Sequence, residues 1–218
     1  DVLEKAGFAK NVHQSEEKNG QIILQPTIYK NVAVYGYPGR KSGLEVQDIE
    51  KIKLQDAPGL FRILMLHTTL RDAIGTLPIP AVDQDKLPKV DYVALAHVHI
   101  NYNKGNRVYC GPTFPNNAAE LEDLKGGSFY IVDTGGQIRR HEIILKEVKV
   151  LDLEIKDSLT ATEKIIEEFK KLNLKDKIFI LKLKGILERG KTSDINFVQI
   201  EKTVSSSGAF IFLKNTTK

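Results

Sequence analysis

Several residue types and patterns are scarce in this chain of 218 residues. It has no tryptophan, one methionine and one cysteine. The single cysteine, Cys110, cannot form a disulfide within the chain, which is typical of proteins from a reducing compartment, so we expect a cytoplasmic location. There is no run of about eighteen apolar residues and no visible secretory leader, so the sequence predicts no membrane association.

A charge imbalance is also missing from the first two thirds of the chain. Residues 1–147 contain 18 Lys and Arg and 18 Asp and Glu, whereas residues 148–218 contain 14 against 10. The whole net charge of +4 therefore lies in the last third. A modest basic excess is compatible with an anionic partner such as nucleic acid, but an ordinary solvated surface has the same composition.

The pattern of predicted elements changes near residue 150. Before it, short apolar runs alternate with Gly/Pro turns, and "GGSFYIVD" and "QIRRHEIIL" flank the hairpin signal "TGG". After it, "SLTATEKIIEEFKKLN" has helical periodicity, with Thr160 and Glu163 at capping-box spacing, and lies between strand patterns. The sequence predicts a mixed α/β (α+β) chain with two domains, residues 1–148 and 149–218.

Three of the five histidines lie at the ends of apolar runs. His67 ends "LFRILMLH", and "DYVALAHVH" contains His97 and ends at His99. Alternate residues of a strand share a face, and ligands gather at the carboxyl ends of strands in open α/β sheets. Imidazoles suit ions such as Mn, Fe and Zn, so the pattern predicts a metal site. One buried and one surface histidine is the alternative interpretation of a lone H-x-H.

The other two histidines and the surrounding motifs do not identify the kind of metal site. His13 and His141 have polar neighbours and are predicted to lie on the surface. Three histidines alone resemble a zinc site, but no H-E-x-x-H spacing indicates a protease.

A set of segments, taken together, resembles a known family. "ILMLH", "VDYVALAHVH", "VYCGPTFPNN" and "LKGGSFYIVD" resemble the second half of the calcineurin-like metallophosphoesterases. The similarity is greatest to the SbcD-like nuclease subunit of the double-strand-break repair nuclease–ATPase complex. "GYPGRKSGLEV" and "GKTSDINF" are also similar to segments of that family. The resemblance covers nearly the whole chain and depends on the order and spacing of the motifs.

The resemblance implies a fold and a chemistry. Residues 1–148 would form the C-terminal half of a metallophosphoesterase β-sandwich flanked by helices, and residues 149–218 a small α+β capping domain that contacts DNA. Two Mn ions would be bound in the full-length enzyme, with His67 and His97 on one metal and His99 on the other. The implied reaction is hydrolysis of phosphodiesters at DNA ends, by exonuclease or endonuclease action, in double-strand-break repair.

The same resemblance indicates residues that would contact DNA. A glycine-containing loop of the last third carries candidate phosphate contacts, and a few loop residues near the histidines could approach substrate. The first group is Arg189, Lys191, Thr192 and Ser193; the second is Arg71, Asn101 and Tyr102. An ordinary turn with solvated charges is the alternative interpretation of the first group.

Several motifs of the family are missing from these residues. The Asp-x-His, Gly-Asp and Gly-Asn-His-Asp motifs precede His67 in the family, and the chain contains none of them before that residue. The catalytic histidine would lie upstream of Asp1, so we expect the chain to be the C-terminal portion of a longer enzyme and to be inactive alone. Three imidazoles without a carboxylate suit Mn poorly, so we expect weak Mn or adventitious Zn binding. We also expect exposed apolar surface.

There are smaller departures, and other functions remain open. Ala96 stands where the family has glycine, Thr68 and Thr69 stand for a Gln-Gly pair, and Cys110 replaces a proline. The partners implied are DNA, a coiled-coil repair ATPase and, for the full-length protein, a second copy. The alternatives are a phosphodiesterase for small molecules and a non-catalytic DNA-binding module; the basic last third favours DNA over a small substrate.

Overall fold

Short strands account for most of the regular structure. The computed structural model describes residues 2–216. Fourteen strands lie in this range: β1 (Ser15–Lys18), β2 (Gln21–Leu24), β3 (Thr27–Tyr29), β4 (Val32–Tyr37), β5 (Ile52–Leu54), β6 (Phe61–Thr68), β7 (Tyr92–His97), β8 (Tyr102–Lys104), β9 (Arg107–Tyr109), β10 (Gly127–Val132), β11 (Ile138–Ile143), β12 (Val148–Glu154), β13 (Ile178–Lys184) and β14 (Ile211–Thr216). Six α-helices lie in the same range: α1 (Val2–Lys5), α2 (Glu45–Ile49), α3 (Arg71–Ile74), α4 (Ala118–Leu124), α5 (Ala161–Lys170) and α6 (Phe197–Ser206). The predicted mixed α/β class is confirmed.

The chain forms two compact units. The first contains the described residues up to Pro112 and the segment Ser128–His141; the second contains Thr113–Gly127 and the described residues from Glu142 onward. The predicted domain division after residue 148 falls at the start of β12. Helix α4, which precedes that division, belongs to the second unit.

A six-stranded sheet forms the centre of the first unit. Its strand order is β3-β4-β6-β7-β9-β8, and the four inner strands run parallel. Strands β3 and β8 close the two edges in antiparallel pairing. The parallel inner strands bring the carboxyl ends of β6 and β7 to the same edge of the sheet.

The two faces of this sheet are covered unequally. Leu64 and Leu66 of β6 and Leu95 of β7 are buried in the core of the first unit. Met65 points to the opposite face because side chains alternate along a strand, and it is 44% exposed although β6 is an inner strand. Met65 is therefore a large apolar side chain that is exposed at the centre of this sheet.

The second unit contains a parallel three-stranded sheet, and two of its helices, α5 and α6, share a core with that sheet. Strands β12, β13 and β14 lie side by side, and α5 and α6 pack through Ile165, Phe169 and Ile200 into one core with Phe179. Helix α5 matches its prediction, but the predicted capping box is wrong because no side-chain hydrogen bond from Thr160 caps the helix. Helix α6 was not predicted from the sequence.

None of the helices within residues 2–216 combines the length and the apolar character that crossing a membrane requires.

Candidate metal site at the strand ends

Two imidazoles meet at the carboxyl edge of the six-stranded sheet. His67 is the penultimate residue of β6, and His97 is the last residue of the neighbouring parallel strand β7. The register pairs His67 with Ala96 and Thr68 with His97, so the two histidines lie on adjoining strands one position apart. Nε2 of His67 lies 3.2 Å from Nδ1 of His97, and both residues are exposed.

This separation of nitrogens permits two kinds of chemistry. Without a metal, one ring nitrogen can donate a proton to the other in a hydrogen bond. With a metal, two nitrogens that each lie about 2.1 Å from one ion are about 3 to 3.4 Å apart. The ring centroids are 5.0 Å apart and the ring planes are inclined at 63°, so the rings do not stack on each other. The 3.2 Å separation therefore falls within the range expected of two neighbouring nitrogen ligands of a single ion.

The backbone of His97 has an unusual conformation. Its φ is +105°, a value that residues other than glycine rarely adopt. Backbone strain of this kind costs about 1–3 kcal/mol and is found most often at functional sites. The strain falls at His97 and not at Ala96, where the resembled family has its glycine.

His99 does not share the strand geometry of His97. Strand β7 ends at His97, so the alternation that would aim both imidazoles at one point does not extend to His99. Among residues 2–216, no group of three or more His, Cys, Asp or Glu side chains is arranged to hold a metal ion. The pair of imidazoles therefore comes from two strands and not from the H-x-H motif, and the role of His99 stays a prediction.

The two imidazole ligands suit Zn or Co better than Mn. Two neutral imidazoles are borderline ligands that suit Zn or Co, and no carboxylate within the described residues completes a metal-binding group with them. A pair of Mn ions requires several carboxylate oxygens. The described residues thus fit half of a single-ion site and do not fit a two-Mn centre.

Two features hold His67 and the residues after it. A Cβ atom on Gly39 would lie 2.5 Å from Cδ2 of His67, so only glycine permits the Gly39 backbone to approach this ring. On the buried side, the hydroxyl of Tyr109 donates to the carbonyl of Thr68 at 2.7 Å and accepts from the N–H of Leu70 at 2.9 Å. Burial raises the pKa of Tyr109 to about 12, so its phenol stays protonated and can donate.

An open cleft of about 800 Å³ lies beside the two histidines. Arg40 lies on its wall and is paired with Asp48, which also accepts from the hydroxyl of Tyr37 at 3.0 Å. Burial acts to raise the pKa of Asp48, but the hydrogen bonds from Arg40 and Tyr37 outweigh it and lower that pKa. The carboxylate therefore stays charged and compensates the positive charge of Arg40 at the cleft.

The loop residues near the histidines are engaged within the first unit. The guanidinium of Arg71 donates to the carbonyls of Leu77 and Ile79 at 3.1 Å each.

The amide of Asn101 is oriented so that both of its ends form hydrogen bonds. It donates to the Cys110 carbonyl at 2.9 Å and to the Ser128 hydroxyl at 2.7 Å, and it accepts from Arg140. The hydroxyl of Tyr102 is buried without a hydrogen-bond partner. The hydrogen bonds of Arg71 and Asn101 stabilise the loops in which these two residues lie. Contact of Arg71, Asn101 and Tyr102 with DNA stays a prediction.

The predicted phosphate-binding loop lies at the carboxyl end of β13 in the second unit. Arg189, Lys191, Thr192 and Ser193 are all exposed. Arg189 forms an ion pair with Asp157 at 3.3 Å, and its carbonyl accepts from the N–H of Ser158 at 3.1 Å. Gly190 has a φ of +74° and passes so close to Ser158 that a Cβ atom would lie 2.1 Å from its hydroxyl. The loop is thus fastened at its base while its cationic and hydroxyl side chains are open to solvent.

Sequence reasoning did not identify three residues that shape the histidine site. Gly39 and Glu45, an acid that is buried in the wall of the same cleft, both lie in "GYPGRKSGLEV", a segment that the family resemblance marked without assigning roles, and Tyr109 lies in "VYCGPTFPNN". A buried acid such as Glu45 has no signature in a single sequence, because its burial depends on residues that are distant along the chain.

No protein-family model matches the chain, and no curated protein is significantly similar to it in sequence.

Proposed function

We propose that this chain is part of a metal-dependent DNA nuclease of the calcineurin-like metallophosphoesterase family, similar to the SbcD-like repair nucleases. In this proposal residues 1–148 are the C-terminal half of the phosphoesterase β-sandwich, and residues 149–218 are the capping domain. The observation that carries the proposal is the 3.2 Å separation of the His67 and His97 imidazole nitrogens at the ends of two parallel strands.

The described residues would supply two of the ligands and no catalytic acid or base. His67 and His97 would hold one ion, and that ion, when bound, would polarise a phosphodiester and activate a water molecule. The carboxylates for the family's Mn pair and its catalytic histidine are not found in the chain, so we propose that the chain alone does not hydrolyse DNA. Binding of the coiled-coil ATPase and dimerisation belong to the same proposal for the full-length protein.

The exposed loop of the second unit supports DNA as the substrate. Arg189, which is paired with Asp157, and Lys191 place two exposed cations on a fastened loop, and such side chains contact phosphates without reading base sequence. A phosphodiesterase for small molecules does not need such a loop. A non-catalytic DNA-binding module would also use it, and this second function is favoured because no carboxylate within the described residues completes a metal-binding group with the histidine pair.

The coding sequence upstream of Asp1 gives the first test. In-frame Asp-x-His, Gly-Asp and Gly-Asn-His-Asp motifs would support the nuclease, and their absence from a complete gene would favour the binding module. The second test is Mn-dependent cleavage of duplex DNA by the polypeptide that contains those motifs. His67→Ala and His97→Ala should each abolish cleavage, whereas the control His141→Ala should retain it; equal activity of all three variants would contradict the proposal.

A further inference from the structure

A buried carboxylate lies in the wall of the histidine cleft. Glu45 is only 5% exposed, although it is the first residue of the short helix α2. Its Oε2 accepts from the backbone N–H of Arg40 at 3.1 Å, and its Oε1 accepts from the hydroxyl of Thr68 at 3.3 Å. Both oxygens are therefore used in bonds to groups that adjoin the metal site.

The two bonds connect to His67 through two different segments of the chain. The N–H of Arg40 directly follows Gly39, whose backbone packs against Cδ2 of the His67 ring. Thr68 directly follows His67 in β6, and its side chain is fully buried. Glu45 thus ties the loop that packs on the ring to the strand that carries the ring.

The residue types at positions 45 and 68 suit the hydrogen bond that joins them. Thr68 stands where the resembled family has glutamine, and its short hydroxyl side chain is the group that meets the buried carboxylate. A carboxylate is costly to bury unless hydrogen bonds compensate the loss of water, and two such bonds are present here. Leucine could fill the same space, so the carboxylate is explained by the bonds that it makes.

We propose that Glu45 is a positioning residue that fixes the imidazole of His67 for metal binding. It acts through Gly39 and Thr68 and touches neither the ion nor a substrate. The inference rests on the proposed metal-binding role of His67. It assigns to the cleft wall a function that the family resemblance does not supply.

The test uses one variant that keeps the two hydrogen bonds and one that removes them. In Glu45→Gln, the amide oxygen can still accept from Arg40 and the amide nitrogen can donate to the Thr68 hydroxyl. Glu45→Leu keeps the side-chain volume and removes both bonds. The first readout is the nuclear Overhauser effect between an Hα of Gly39 and Hδ2 of His67 in the metal-free chain. The second readout is affinity for Co²⁺, followed by its visible absorption.

The proposal gives a different result for each variant. Glu45→Gln should keep the Overhauser effect and stay within about threefold of the wild-type Co²⁺ affinity, whereas Glu45→Leu should abolish the effect and weaken Co²⁺ binding about tenfold or more. A folded Glu45→Leu chain that keeps both the Overhauser effect and the affinity would overturn the proposal.

Two further outcomes are separated by the same design. If Glu45→Leu does not fold, Thr68→Val removes one of the two bonds at nearly constant volume, and an unchanged His67 Hδ2 resonance in that variant would overturn the proposal. If the wild-type chain does not bind Co²⁺, the metal-binding role of His67 fails. The Overhauser effect then still shows whether Glu45 positions the ring.

Discussion

The hydroxyl of Tyr109 bridges two backbone groups of the segment that follows His67, donating to Thr68 and accepting from Leu70. Tyr109 is fully buried, so water cannot replace either bond. The pair fixes the path of the chain as it leaves strand β6 beside the metal site. Its removal has a measurable consequence for stability.

Tyr109→Phe should lower the free energy of unfolding by about 2–3 kcal/mol, because it leaves a buried carbonyl and a buried N–H without partners. Urea unfolding of the two proteins measures this difference. Tyr29→Phe is the matched control, since Tyr29 is 68% exposed and its variant should be close to neutral. Equal effects of the two substitutions would show that the Tyr109 hydroxyl contributes nothing specific.

Gly39→Ala should weaken Zn²⁺ or Co²⁺ binding about tenfold or more, because the new Cβ would lie 2.5 Å from Cδ2 of His67 and displace the ring. Calorimetric titration measures the affinity. The control is Gly20→Ala, where a φ of +73° predicts a stability loss of about 1 kcal/mol but open space surrounds the new methyl group. A Gly39→Ala protein with wild-type affinity would show that the ring does not need this close approach.

Glu147 should make stability depend on acid pH. The Lys149 ammonium, with that of Lys177, donates hydrogen bonds to its carboxylate and lowers its pKa from 4.5 to about 2. A carboxyl with a lowered pKa in the folded state stabilises the fold above its unfolded pKa and loses this effect as the pH falls through the folded value. The effect is small and sensitive to salt because the pair is exposed.

The measurement is the unfolding midpoint of the wild type and of Glu147→Gln between about pH 6 and about pH 3. The two midpoints should differ most at the upper end and converge as the pH falls. Glu201→Gln, on an exposed position of α6, corrects for the loss of one negative charge. A difference that stays constant across this range would contradict the prediction.

Arg189→Ala combined with Lys191→Ala should weaken binding to duplex DNA and reduce the slope of log affinity against log salt by about two, one for each phosphate that is no longer neutralised. Fluorescence anisotropy at several salt concentrations measures both quantities. The matched control is Lys170→Ala with Lys171→Ala, which removes the same charge from the exposed end of α5. If both double variants behave alike, the loop has no special role and only net charge matters.

The sequence predicted the strands that carry the histidines better than it predicted the site itself. Apolar runs that stop at a polar residue marked β6 and β7; β6 ends one residue after His67, but β7 ends at His97 and not at the expected His99. The contact between the His67 and His97 imidazoles joins residues that are one position apart in the register of two strands, and the strained turn at His97 removes His99 from the alternation. A single sequence encodes neither effect in its local pattern.

Helix α6 shows a different limit. Its residues include Val198, Ile200 and Val204, whose branched side chains have low helix propensity and favour a strand interpretation. Burial of Ile200 and Val204 against the parallel sheet outweighs that preference. One local signal was present, because the side chain of Asn196 caps the helix by accepting from the N–H of Gln199 at 3.0 Å.

Calorimetric titration of the chain with Zn²⁺ shows whether His67 and His97 together bind one metal ion, on which the proposed function depends. One ion should bind per chain, with affinity reduced about tenfold or more by either His67→Ala or His97→Ala and unchanged by His141→Ala. Zn²⁺ binding that survives both of the first two substitutions, or no binding by the wild-type chain, would contradict a metal site at these two histidines.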